Sequence, residues 1–575
     1  MSIPRRSLLA AGPLALAGCG VNRDPYFGNT TPPTGQRLVF ETAADPTTLD
    51  PAQTVNGPGE QYILPALFEG LTVNHPIMAE PMAALATHYE RSAEGTRYTF
   101  FLRGHPSPRG TRLPNADDLP IAFTRGRKAS SSGGPARWSD GRPITAHDFV
   151  YSWRRAIAPE TAAVYAYLLH GLQNGREITG GKRSPDQLGV RATDDFTLQV
   201  DLASPARYFL QLTAFHFLAA VPRHTIEAAG PSWTNHRRIV TSGPFALAEL
   251  RNHDRIRVVR NPRYYDAQQV ALDEIRFVPF SDLNTLLHYY QAGEAQSTAA
   301  MYSPLMPALH AKRDCRKHRM FGLLYCAFNV GKPPFDNPLV RFAFNMAIDK
   351  GAMARWRGMG QEPARTLVPP LETYESPRSV LVTVNGKSYD VLAFDPAGAR
   401  ELLRAAGFDF EQTIEFFAIA DSDGLMLAEI LHAEWKRHLG VKVQVVAREF
   451  SVWFAAMAAV AYTGIAIGWD YGQYADPNWF LSYFLPGATS GTGWTDSQYT
   501  AMLTRANATV DPAERMSRLA DCEKYLLAAM PIMPLYYDAW TYFEKPYVRG
   551  GGGNLVGSRP FKYAWIDTNW KRRPS

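Results

Sequence analysis

Cysteine is scarce in this chain: four among 575 residues, at positions 19, 315, 326 and 522. Beyond Cys19 the remaining three are odd in number and far apart, which excludes a disulfide-framed scaffold, leaves room for one bridge at most and argues against a zinc centre. Familiar catalytic motifs are also missing. There is no Gly-x-Ser-x-Gly elbow, no His-Glu-x-x-His and no Cys-x-x-Cys, and the 14 histidines never fall at the i, i+4 spacing that sets two ligands on one helix face. Gly386-Lys387-Ser388 imitates the end of a phosphate loop, but Leu381 stands where the loop needs glycine, so the segment reads as a turn between Val384 and Tyr389. Charge of one sign is not in excess either. The formal net charge is +6, and residues 103 to 137 alone hold seven Lys or Arg against two Asp, so the high pI reflects one basic segment. A nucleic-acid surface would need basic residues interleaved with aromatics along a face, and none is expected. No metal or cofactor is implied.

Long apolar runs are absent after the N-terminus, where a different pattern stands. Met1-Ser-Ile-Pro-Arg5-Arg6 is followed by a short apolar stretch ending Leu16-Ala17-Gly18-Cys19. That stretch is too short to span a bilayer and has the charged start and small-residue end of an export signal. The last four residues resemble a lipobox, which implies removal of 1–18 and acylation of Cys19; Arg5-Arg6 resembles a twin-arginine signal. Residues 19–36, rich in Gly, Asn, Thr and Pro, read as a lipid-anchored tether.

The mature chain is globular in composition, 46% apolar and 20% charged, and long enough for two or three domains. Strands are expected at Arg37 to Thr42, Arg97 to Leu102, Phe196 to Leu202, Arg255 to Val259 and Glu274 to Val278. Helices begin at Thr145, Asn337-Pro338, Asp395-Pro396 and Asp511-Pro512, each opening on a capping residue. Thr413 to Val446 reads as strand, helix, strand, with Gly440 ending the helix, the unit of a parallel sheet. Residues 104–136, full of Pro, Gly, Ser and Arg, read as a long exposed loop.

Aromatics are what this chain has in abundance: 30 Phe, 27 Tyr and 12 Trp. The run Gly468-Trp469-Asp470-Tyr471-Gly472-Gln473-Tyr474-Ala475-Asp476-Pro477 follows an apolar strand and brings aromatics, two carboxylates and slim backbone together. Such a surface suits an extended ligand. Equally, Trp469 and Tyr474 read as core and Asp476-Pro477 as a helix start.

Several motifs in order carry a resemblance. Trp138-Ser-Asp-Gly-Arg-Pro-Ile-Thr-Ala-His-Asp-Phe-Val-Tyr-Ser-Trp153 is joined by Leu49-Asp50-Pro51, Leu67-Phe-Glu-Gly-Leu71, Thr241-Ser-Gly-Pro-Phe245, Arg260-Asn-Pro-Arg-Tyr-Tyr265, Pro334-Phe-Asp-Asn-Pro-Leu-Val-Arg341 and Phe394-Asp-Pro396 with Ala406-Gly-Phe408. From Leu49 onward the chain resembles the oligopeptide- and dipeptide-binding family of extracytoplasmic solute-binding proteins, the receptors of ABC importers. The resemblance implies an α/β, two-lobed hinged periplasmic-binding-protein fold of type II, in its three-domain peptide-binding variant with discontinuous domains. Domain I would take 37–68, 223–325 and 536–575; domain II 69–222, with the inserted loop 104–136; domain III 326–535. It implies a non-enzymatic, monomeric, periplasmic receptor that binds a peptide between its lobes, works with permease and ATPase subunits and touches the membrane only through lipid. By position it assigns peptide-backbone contacts to Val55, Asn56 and Gly57 and to Gly468, Trp469 and Asp470, a further backbone contact to Tyr165 and a side-chain pocket to Phe450. Relatives carry an ammonium-binding aspartate where this chain has Gly472, which leaves Asp470, or else Asp476, as the substitute anchor. Arginines used by relatives correspond to Ala466 and Met457. A receptor for a metal chelate, opine or saccharide on the same fold, and a periplasmic hydrolase or chaperone, are the alternatives.

Overall fold

A computed structural model describes residues 25–57, 59–125, 134–280, 282–299, 309–486, 488 and 490–572. The export signal and Cys19 lie outside the described residues. Three sheets organise the chain. The first has the order Arg37–Thr42, Glu274–Pro279, Arg255–Arg260, Phe245–Arg251, its first pair parallel and the others antiparallel. The second is antiparallel: Thr111–Arg112, Ala86–Arg91, Arg97–Leu102, Thr197–Asp201, Val190–Asp194. The third holds six strands: Glu362–Pro363, Ile532–Phe543, Cys315–Phe328, Ile465–Tyr471, Thr413–Ile419 and Lys442–Arg448.

Local chemistry explains the elements. Thr145 and Asp148 form a capping box on the Ala146–Ile157 helix, whose apolar stripe buries Phe149, Trp153 and Ile157. Thr413–Ile419 pairs in parallel with Lys442–Arg448, and the intervening Ser422–Leu439 helix stops where Gly440 takes φ 74°. Leu381–Val384 and Lys387–Asp390 form a hairpin around Asn385 and Gly386, both at positive φ, so the pseudo-phosphate loop is a turn. The recurrent motifs act as joints. Asp50 accepts from Arg155 through both oxygens, at 3.0 and 2.5 Å, and from Trp233 Nε1 at 3.3 Å. Ser139 and Thr241 exchange hydrogen bonds, and Asn261 donates to Gly243 O at 3.0 Å.

Two long strands, Cys315–Phe328 and Ile532–Phe543, pair from Cys315↔Phe543 to Ala327↔Ile532. Their near end lies beside the first sheet, through the bridges Phe40↔Ser297 and Ser297↔Glu544, and their far end forms the middle of the third. The expected boundaries 325/326 and 535/536 both fall inside them. The pairing slips at Arg319/Leu323 and Leu324/Tyr325.

Two expectations need correction. Residues 25–36 are no free tether: Phe27 stacks on Tyr290 and packs tilted against Phe543, its N–H donates to Asp314 at 2.9 Å, and Tyr26 packs edge-on against Trp570. Packing two half-buried aromatic rings outweighs the flexible composition around them. The insertion 104–136 is no bare loop in its described part. Thr111–Arg112 extends the second sheet, and Ala116 and Leu119 are buried in a cluster with Met82 and Tyr563. The signal was the apolar spacing of Leu113, Ala116 and Leu119 inside a polar composition. Cys315, Cys326 and Cys522 are free thiols, and burial pushes the Cys315 thiol up to about 11.

Candidate ligand-binding cleft

Glu60 opens the Glu60–Leu67 helix and is fully buried. Its Oε1 accepts from Thr47 N at 2.8 Å, Thr48 N at 3.2 Å and the Thr47 hydroxyl; its Oε2 accepts from Thr54 Oγ1 at 3.1 Å, Val55 N at 3.1 Å and Gly57 N at 2.9 Å. Asn56, at φ 53°, makes the turn that points its neighbours' N–H groups at one carboxylate. Burial raises the Glu60 pKa, but the donors from Thr47, Gly57 and Thr54 outweigh it, and the net shift is downward. Asn56 N–H donates to Thr54 Oγ1, and Tyr165 OH donates to Val55 O at 3.3 Å. The N–H groups of Val55, Asn56 and Gly57 are therefore all engaged within the protein. These bonds tie the segment to the Glu60 helix, and of its backbone groups the three N–H donors are already taken.

Gly468, Trp469 and Asp470 lie on the Ile465–Tyr471 strand, paired on one side with Tyr325, Leu324 and Leu323. On the other side Thr413–Ile419 pairs only through Ile465 and Ala466. Among the described residues, that edge has no strand partner from Ile467 to Tyr471, the open ladder to which an extended chain adds. A side chain at 468 would start 2.9 Å from the Tyr325 ring, so glycine is required there. The Trp469 ring, 37% exposed, lies parallel to Trp453 at 5.2 Å, and Phe450, 51% exposed, stacks on both and on Phe454. Phe450 and Trp469 thus belong to one stacked aromatic surface.

Tyr165 and Asn56, expected at the site, are joined here by residues the sequence did not single out, Tyr167, Tyr208, Phe215 and Tyr483. Tyr165 packs edge-on against Phe215 at 5.1 Å, and Tyr167 hydrogen-bonds to Tyr483. Tyr208 stacks on Tyr474 at 5.2 Å with 9° between the planes, and Asn56 Nδ2 donates to Gln473 Oε1 at 2.9 Å. Except for Tyr165 with Phe215, these contacts join parts of the chain hundreds of residues apart, which no local pattern announces.

The two candidate anchors fare differently from expectation. Asp476 is not open to a ligand: both oxygens accept from the Arg515 guanidinium, at 2.7 and 2.9 Å, Oδ1 also accepts from Asn478 N, and both side chains are buried. Asp476 begins a helix and closes a buried ion pair. Asp470 Oδ2 accepts from Trp479 Nε1 at 2.6 Å and Oδ1 from Tyr483 at 3.0 Å. Both oxygens have partners, and burial still pushes its pKa up to about 7. The family's aspartate is excluded by packing, because any Cβ at Gly472 would lie 2.3 Å from the Phe321 ring. Met457 and Ala466, in the places of the relatives' arginines, are buried.

Residues 135–492 match the model of the bacterial extracellular solute-binding proteins, family 5 Middle. The chain belongs to this family. As a family 5 solute-binding protein it is extracytoplasmic, and its two-lobed, type II architecture is the one its structural neighbours have. It is 30% identical to the probable deoxycholate-binding periplasmic protein of Escherichia coli, over 97% of each chain. It is 27% identical to the periplasmic oligopeptide-binding protein of Salmonella typhimurium, over 96% of each. The murein tripeptide-binding protein of Escherichia coli superposes with a TM-score of 0.76 at 26% identity, over 93% of this chain and 99% of that one. No described helix is long and apolar enough to cross a membrane, and no cluster of metal-ligating residues occurs among the described residues.

In this solute-binding protein, the raised Asp470 pKa gives a pH prediction. A carboxyl that holds its proton in the fold contributes stability below its unfolded pKa and loses it as pH rises through about 7. Asp470→Asn does not titrate. The melting temperature of the variant relative to wild type is therefore expected to climb between about pH 5 and about pH 8; a constant difference would show that Asp470 ionises normally.

Proposed function

We propose that this protein receives extended peptides between its two lobes and presents them to a membrane permease served by separate ATPase subunits, as a monomeric binding protein and not an enzyme. The observation that carries the reading is the open strand edge from Ile467 to Tyr471. A peptide added there bonds through groups every peptide has, while the stacked face of Phe450 and Trp469 receives side chains without selecting one. In this reading Val55, Asn56 and Gly57 form a rigid wall and Tyr165 closes the other side. Gly468, Trp469 and Asp470 supply the backbone ladder.

The lobes are proposed to hinge on the strands Cys315–Phe328 and Ile532–Phe543, with the domain boundaries near 325/326 and 535/536. Ligand contacts to both lobes would favour the closed form. Cys19 is proposed to carry the lipid that holds the protein at the membrane after export.

A second ligand class is favoured by one observation. The stacked rings of Phe450 and Trp469, backed by the buried Trp453, offer an apolar face, and a relative at 30% identity is named as deoxycholate-binding. A flat amphipathic acid would lie on that face. Native mass spectrometry of the protein as purified, followed by calorimetric titration with a mixture of short peptides and with deoxycholate, separates the two. Co-purified peptide masses and saturable peptide binding are expected; binding of deoxycholate with indifference to all peptides would overturn the peptide reading.

A further inference from the structure

Large apolar side chains left in contact with water gather around the cleft. Trp469, on the strand whose edge is open, stacks on Phe450 at 6.3 Å, and Phe450 stacks in turn on Phe454 at 6.1 Å, whose side chain is 56% exposed. Tyr165 stands close to this strand, since burial and then the Asp470 charge raise its pKa. Around it Val55, Val164 and Tyr167 are exposed as well. Single apolar side chains on a surface are ordinary, but a cluster of them marks a place where something binds, because whatever covers the rings removes them from water.

The elements that build this face bring almost no charge to it. The helix Phe450–Ala458 has no acidic or basic residue, and the strand Ile465–Tyr471 has one, Asp470, whose two oxygens already accept from Trp479 and Tyr483. Arg448 and Glu449, just before the helix, are one of each sign. From this uncharged set of rings beside the open strand edge, we infer that the receptor selects peptides by side-chain class. It prefers a bulky apolar residue against Phe450 and Trp469 over a basic one, and a basic one over an acidic one.

The inference rests on the peptide reading above and deepens it. An extended ligand on the edge turns alternate side chains to each face of the sheet, so every second residue is presented to the side on which Trp469 stands. An aromatic side chain arriving there removes its own surface and that of two rings from water, and offset stacking adds to the gain. A lysine gains cation–π attraction over the rings, which at a solvent-accessible site is weaker than burial of an aromatic side chain. A glutamate gives up hydration and meets the negative faces of the rings.

The test is calorimetric titration of ligand-stripped protein with tetra-alanine and with the tetrapeptides in which one alanine, at each position in turn, is replaced by phenylalanine, lysine or glutamate. At one position at least, the phenylalanine peptide is expected to bind about tenfold more tightly than tetra-alanine, the scale of partly burying one ring, with lysine weaker and glutamate weakest. Phe450→Ala should cut the phenylalanine gain to about threefold, because Trp469 remains, and Phe450→Leu should keep most of it. Phe450→Glu should turn the preference towards lysine. Phe450 is exposed, and melting curves of the variants check that they are folded. Equal affinity for phenylalanine and alanine peptides at every position, a glutamate peptide that binds as tightly as its phenylalanine counterpart, or an unchanged ratio in a folded Phe450→Ala overturns the preference while the peptide reading stands. If no peptide of the series binds and deoxycholate does, the peptide reading falls and takes the preference with it.

Discussion

Glu60→Gln is expected to lower ligand affinity at least a hundredfold although it changes one atom. Each Glu60 oxygen takes three donors, so a carboxamide must turn its NH2 against three N–H or O–H groups whichever way it is oriented. Each buried donor left without an acceptor costs about 1–3 kcal/mol. The segment Val55, Asn56, Gly57, which is held to the body of the lobe through this carboxylate, should then move, taking the Tyr165 and Gln473 contacts with it. Calorimetry with the ligand identified by mass spectrometry is the measurement. Wild-type affinity in the variant would mean that the wall formed by these residues does not shape the cleft. The lowered Glu60 pKa adds a pH signature: its share of stability is present above the usual carboxylate range and is lost as pH falls below that range, through the depressed pKa.

Arg515→Met is expected to destabilise the protein by about 3–5 kcal/mol, because it strands the Asp476 carboxylate in the interior. For a lobe of this size that corresponds to a melting temperature lower by roughly ten degrees or more. Replacing both partners, Arg515→Met with Asp476→Leu, removes the charge as well as its partner and should recover most of the loss. Differential scanning calorimetry of the single and double variants decides. If the single variant melted within two or three degrees of wild type, Asp476 would be free of Arg515 and open again as a ligand anchor. The pair also sits beside the Tyr208 and Tyr474 stack, since Asp476 follows Tyr474 by two residues. The single variant should therefore weaken ligand binding too.

How legible the protein was depended on the range of the interactions involved. The helix from Thr145 to Ile157 could be read because its cap, its stripe and its end lie within thirteen residues. The unit from Thr413 to Arg448 was equally plain, since apolar period and a terminating glycine are local signals. Reading the insertion 104–136 as loop failed because its order comes from Met82 and Tyr563, distant in sequence. Composition suggested a mobile tether up to residue 36, and two aromatic rings finding Tyr290, Phe543 and Trp570 overruled it. Asp470 and Asp476 look alike in sequence, a carboxylate near an aromatic. They separate only when Arg515 arrives at one and Trp479 and Tyr483 at the other.

The sequence by itself determined the family, the α/β architecture and the strands and helices whose signals are short in range. Ordered motifs and hydrophobic periods are properties of neighbouring residues and survive being read along a line. Tertiary structure alone decided which carboxylates are engaged, which strand edge is open, and that Glu60 ties Val55 and Gly57 to its own helix. Hydrogen-bond partnership and burial are relations between residues up to several hundred positions apart, and they exist only once the chain has brought those residues together.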